Sequence, residues 1–115
     1  MAVQNLKEDK KMTPREKCLT DAGNCVLSDR EKDYGSPEYN FEAIADFWNV
    51  FLKGKLTADI TAEEVGNMMI LFKLARRNTG QFKEDTYIDI AGYAACSMEC
   101  GAIAKYGTAD VYDEF

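Results

Sequence analysis

The sequence predicts an all-α protein, an antiparallel four-helix bundle, and three observations carry that expectation. Apolar residues recur at helical spacing in four separate stretches, with no alternation of the kind a half-buried strand needs. Start and stop residues punctuate those stretches: Thr-Pro, Ser-Pro and a capping-box pattern open three of them, and glycine closes all four. The links between them are short, as antiparallel neighbours require.

Thr13-Pro14 opens the first helix, the threonine as N-cap and the proline at the first helical position. Cys18, Leu19, Ala22, Cys25 and Val26 form its stripe, and it is predicted to end near Tyr34-Gly35. Ser36-Pro37 repeats the start signal. Phe41, Ile44, Ala45, Trp48, Phe51 and Leu52 then make a core-facing stripe that stops at Gly54. After a linker over 55–60, Thr61-Ala62-Glu63-Glu64 reads as a capping box. The third helix carries Val65, Met68, Met69, Leu71, Phe72 and Leu74 and ends around Asn78-Thr79-Gly80. The fourth runs from about Asp85 to Tyr106-Gly107 and is apolar nearly all round from Ile88 to Ala104, so it is expected at the centre. Its small residues, among them Gly92 and Gly101, would let neighbours approach closely. A second copy is expected to cover part of it, making the protein a homo-oligomer. Residues 1–12 read as a flexible arm, 13–107 as a single helical domain and 108–115 as an acidic tail.

With 14 basic against 20 acidic residues the chain has a net charge of -6, which argues against non-specific binding to duplex nucleic acid. It permits a basic protein partner or a metal-loaded anion site. No apolar run approaches the roughly 20 residues of a membrane span, and the start lacks a signal-like apolar core, so a cytoplasmic protein without membrane contact is expected. Cys18, Cys25, Cys96 and Cys100 are spaced by seven and by four on helical stretches, which suits buried thiols better than a zinc knuckle. Histidine is absent, so a resident metal would take oxygen ligands and would be magnesium or manganese.

Several charges fall where an apolar face is expected. Asp85 and Asp89 lie one turn apart at the start of the fourth helix, and Asp89 sits among Ile88, Ile90 and Ala91. A buried carboxylate is costly unless a cation or hydrogen-bond donors answer it. At 100° per residue, Asp29 falls on the stripe of Ala22, Cys25 and Val26, with Asp33 close to it. Two aspartate pairs facing each other across the bundle would make an oxygen cage for a divalent cation, with Asp29, Asp33, Asp85 and Asp89 as metal ligands. The plainer alternatives are a dipole-matched Asp85, solvated Asp29 and Asp33, and an Asp89 paired with a neighbouring cation. Lys73 and Arg76, one turn apart on the third helix, could hold a phosphate or pair with Asp89. In the corner Asp33-Tyr34-Gly35-Ser36-Pro37, helix punctuation explains the glycine, serine and proline. Tyr34 and the nearby Asn40 remain as candidates to read a base, a sugar or a phosphate. Glu42 and Asp46 oppose the stripe of their helix and read as a solvated face.

Three stretches together carry a resemblance. They are Arg30-Glu31-Lys32-Asp33-Tyr34-Gly35-Ser36-Pro37 with Asn40-Phe41, then Met68 to Arg76, then Glu84-Asp85-Thr86-Tyr87-Ile88-Asp89-Ile90-Ala91-Gly92-Tyr93. Over roughly residues 28–105 the chain resembles a family of small phage and prophage proteins with a D-Y-G corner, a K-x-x-R helix and an E-D-x-x-x-D-x-x-x-Y helix. That family is distantly similar to the all-α nucleoside triphosphate pyrophosphohydrolases of the MazG and dimeric dUTPase type, helical oligomers that bind magnesium through carboxylates on facing helices. The resemblance implies a MazG-like bundle and a nucleotide ligand. The chain departs from the E-x-x-E and later E-x-x-D signature of those enzymes by spacing its aspartates at i+4.

Three functions follow as expectations. In the first, Asp85 and Asp89 act in magnesium-dependent hydrolysis of a nucleoside triphosphate, with Tyr34, Asn40, Lys73, Arg76 and Tyr93 binding the ligand. In the second, the same residues sequester a nucleotide or nucleotide second messenger without turnover. In the third, an acidic surface inhibits a host defence complex by charge.

Overall fold

A computed structural model describes residues 11–29 and 35–114, with residues 28 and 29 described in their backbone alone. Four α-helices and no strand are present among the described residues: α1 Pro14–Asn24, α2 Pro37–Phe51, α3 Ala62–Thr79 and α4 Glu84–Tyr106. α1 continues into a π-helical turn, Cys25–Asp29. The expected helix end near Tyr34 lies outside the described residues.

Two of the three start signals act as their chemistry dictates, while Ser36 takes the N-cap position of α2 without a side-chain hydrogen bond. Thr13 accepts a hydrogen bond from the Glu16 amide at 3.1 Å, with Pro14 in the first turn. Thr61 and Glu64 make a reciprocal capping box, the Thr61 amide donating to the Glu64 carboxylate at 3.0 Å and the Glu64 amide to the Thr61 hydroxyl at 3.2 Å. α4 starts differently. Its cap is Lys83, which supplies no side-chain hydrogen bond, and Glu84 and Asp85 fill the first turn, where the helix dipole favours acids. At the other end Gly107 takes a left-handed φ of 83° and its amide donates to the Ile103 carbonyl at 2.8 Å.

α4 is the central element. It packs against α1, α2 and α3, most extensively against α3, and α2 also packs on α3. Phe41, Ala45, Val65 and Cys100 form the heart of the core, with Ile44, Trp48, Ile60 and Tyr93 packed around them. Gly66 lets α3 and α4 close together. A Cβ there would collide with the Ser97 hydroxyl and come within 2.9 Å of the Phe41 ring. The linker after α2 is clamped by Asn49, whose side-chain amide donates to the Ile60 carbonyl at 3.0 Å and accepts from the Ile60 amide at 2.7 Å.

Burial departs from the stripes read off the sequence. Phe51, expected in the core, is 84% exposed, and Leu19 is 70% exposed. On α3, Met68, Leu71, Phe72 and Leu74 are exposed, while Val65 and Gly66 are buried. The physical reason is that α2 and α3 each carry apolar residues on two sides. Periodicity finds an apolar stripe, but only the positions of the neighbours decide which stripe is covered. No described helix is long and apolar enough to cross a membrane.

Candidate functional site

A hollow opens between the π-turn, the N-terminal turns of α2 and the first half of α4. Cys25 and Val26 line it from the π-turn, Gly35, Pro37, Asn40 and Phe41 from the α2 side, and Asp89, Gly92, Tyr93 and Cys96 from α4. Local sequence positions each wall. Pro37 begins α2 behind the Ser36 cap, which brings Asn40 to the end of the first turn and Phe41 into the core. Gly92 admits the π-turn: a Cβ there would meet the Val26 side chain at 3.2 Å. Asp89, Tyr93 and Cys96 follow at spacings of four and three, one face of α4. π-turns are rare and are enriched at functional sites, where the extra residue re-aims neighbouring side chains.

The enclosed space is about 40 Å³, room for roughly three waters on the scale at which one needs ~10–15 Å³. Counted out through the open mouth, the space free of atoms is about 540 Å³. A guest therefore seats one edge inside and keeps its bulk in the mouth. Phe41 and Tyr93 stand side by side with ring centroids 6.1 Å apart and planes tilted by 36°. Among the described residues the polar side chains of the wall are Asp89, Asn40 and Tyr93, beside the Cys25 and Cys96 thiols, and no lysine or arginine lines it.

Asp89 is half-buried and its charge is answered. The Lys73 ammonium reaches across from α3 to its carboxylate at 2.9 Å. This is the pairing that the sequence left open as one of two fates for Lys73. An ammonium at that distance compensates the charge of the carboxylate through one of its two oxygens. Among the described residues no group of three or more acidic or thiol side chains gathers as a metal site.

The other candidates scatter. Asp85 is exposed in the first turn of α4 and lies off the hollow. Its charge, with that of Glu84, is felt by Lys17 of α1, whose ammonium is held above its ordinary range chiefly by Asp21, bonded to it at 2.7 Å. Arg76 is exposed, with its guanidinium stacked 5.5 Å over the Phe72 ring, away from the hollow. Asp33 and Tyr34, and the side chain of Asp29, lie outside the described residues. The projection that placed Asp29 on the Ala22 stripe assumed α-helical rotation, and the π-turn changes that rotation from Cys25 onward. Of the four aspartates expected as a cage, the two whose side chains are described lie apart in role, Asp85 exposed off the hollow and Asp89 in its wall. What the structure brings together from the sequence candidates is Asn40, Asp89 and Tyr93 in the wall, with Lys73 behind Asp89.

Sequence reasoning missed Phe41, Gly92, Cys25 and Cys96 as wall residues. Two signals were available: a glycine in mid-helix beside Asp89, and cysteines on both sides of the future gap.

A family model described as Domain of unknown function (DUF6378) matches residues 17–101, a span that holds every described residue of the hollow. The Gene 55 protein of Mycobacterium phage L5 is 41% identical over 76 residues, covering 66% of this chain and 47% of that protein. The Gene 55 protein of Mycobacterium phage D29 is 37% identical over 81 residues, covering 70% and 51%. The chain spans about half the length of these curated relatives. No solved structure matches. The family match over residues 17–101 places this chain in the DUF6378 family, beside its two phage relatives.

Proposed function

We propose that the chain is a phage-type binding protein whose hollow takes the base of a nucleotide, holding it without turnover. The observation behind this reading is the wall itself: two aromatic rings beside one carboxylate and one carboxamide. A flat heterocycle with polar edges matches that set, its faces meeting Phe41 and Tyr93 and its edge meeting Asn40 and Asp89. The small enclosed space suits one ring edge, which leaves sugar and phosphates in the mouth. Binding is favoured over hydrolysis because Lys73 already compensates the carboxylate that catalysis would need for a metal. Distant kinship with MazG-type pyrophosphohydrolases and assembly into an oligomer belong to the same reading.

Calorimetric titration with a panel of ribo- and deoxyribonucleotides tests it. Saturable binding is expected, unchanged by EDTA and weakened about tenfold or more in Tyr93→Ala and in Asn40→Leu. Failure of every nucleotide to bind would sink the proposal. Pyrophosphate released from a triphosphate with magnesium, and lost in Asp89→Asn, would replace binding with catalysis.

A further inference from the structure

We infer that the corner between α3 and α4 holds a second binding site, for an oxyanion, centred on Arg77. The inference is independent of what the hollow holds. Arg77 lies in the last turn of α3, where a cation suits the helix dipole. The dipole asks only for a solvated charge, and Arg77 is placed differently. Its side chain is half-buried, and its Nε is shut off from water with no hydrogen-bond partner. Its guanidinium lies 5.6 Å over the Phe82 ring, and Phe82 in turn stands 6.3 Å from the Tyr87 ring. This stack holds the guanidinium plane across the connection from α3 to α4.

No carboxylate answers this charge among the described residues, although acids outnumber bases 20 to 14 in the chain. The ion pairs there are Lys17 with Asp21 and Lys73 with Asp89. Glu84 and Asp85, the acids nearest to Arg77 in sequence, are instead felt by Lys17 of α1. Arg77 opens on a shallow groove that it lines with Leu74, Ala75, Asn78 and Tyr87. The polar side chains of that groove are a guanidinium, a carboxamide and a phenol, and each of them can donate a hydrogen bond. A planar fork held in one orientation suits the paired oxygens of a carboxylate or a phosphate. Leu74 and the Tyr87 ring would flank the apolar stem that carries the anion. A half-buried cation without a partner is a cost to the fold, and an oxyanion accepting from the fork offsets it.

NMR titration of the isotope-labelled full-length protein tests this, read at the arginine Nε–H signals, of which the chain has four. Inorganic phosphate and acetate are the two probes, added separately at physiological ionic strength. A saturable shift of the Arg77 signal is expected, with half-saturation at about 10 mM or below for the better probe. The probe that saturates first identifies the guest as a phosphate ester or a carboxylate. Arg77→Lys keeps the charge without the fork, and is expected to weaken binding about tenfold or more, read at the Asn78 side-chain amide. Arg76→Lys, at the neighbouring arginine stacked on Phe72, is expected to leave binding unchanged. Shifts that never saturate with either probe would overturn the inference. So would equal weakening by the two lysine variants. The wild-type titration needs no variant, so it decides the question even if Arg77→Lys fails to fold.

Discussion

At the residue scale, two groups show how environment sets chemistry. Asp89 and Lys73 are each partly exposed, and a pair in that position contributes about 1 kcal/mol or less after solvent screening. Its consequence is positional, because it fixes one polar group of the hollow's wall. Cys100 is different. Burial among Phe41, Ala45 and Val65 pushes its thiol up from an ordinary 9.0 to about 11. Below pH 9 both folded and unfolded chains hold the proton, and nothing is lost. Between 9 and 11 the unfolded chain releases it while the folded chain keeps it, so stability falls as pH rises through that window. The slope from this group is at most about 1.4 kcal/mol per pH unit. Chemical denaturation across that range is expected to show the loss in the wild type and a shallower one in Cys100→Ala. Identical slopes would refute the assignment.

At the scale of elements, glycine and caps determine how closely the helices lie. Gly66 is the tightest point of the α3–α4 contact, facing the Ser97 hydroxyl and the Phe41 ring. Gly66→Ala is expected to destabilise the fold by about 1–3 kcal/mol, because neither helix backbone can yield without opening the core. Ser97→Ala is expected to cost little or to stabilise, since its buried hydroxyl has no hydrogen-bond partner. Thermal unfolding of the two variants checks both directions at once. A neutral Gly66→Ala would mean that the helices sit further apart than described. The sequence could not flag this glycine. Placed mid-helix beside Val65, it looks like any weak position until a partner helix is set against it.

At the scale of the whole molecule, the core is thin for the number of large apolar side chains the chain carries. Among the described residues Val65 is the one large side chain that is fully buried. A protomer of this kind gains stability from anything that covers its outer faces, and association does so by mass action. The melting temperature is therefore expected to rise with protein concentration, which differential scanning fluorimetry over a dilution series would reveal. A melting temperature independent of concentration would argue for a self-sufficient monomer.

Much of the architecture is local and was legible in advance. Helix starts at Thr13, Ser36 and Thr61, the stop at Gly107 and the central place of α4 follow from caps, glycine conformation and apolar content. These depend on neighbours in the chain, so the chain alone determines them. Asn40, Asp89 and Tyr93 were also visible as polar or aromatic residues where a helix face should be plain. Which apolar stripe of α2 and α3 turns inward, where the π-turn breaks the register before Asp29, and that Lys73 is the cation facing Asp89 were settled by packing. Each depends on the distance and direction of a partner helix, and that information exists only once all four helices occupy the same space.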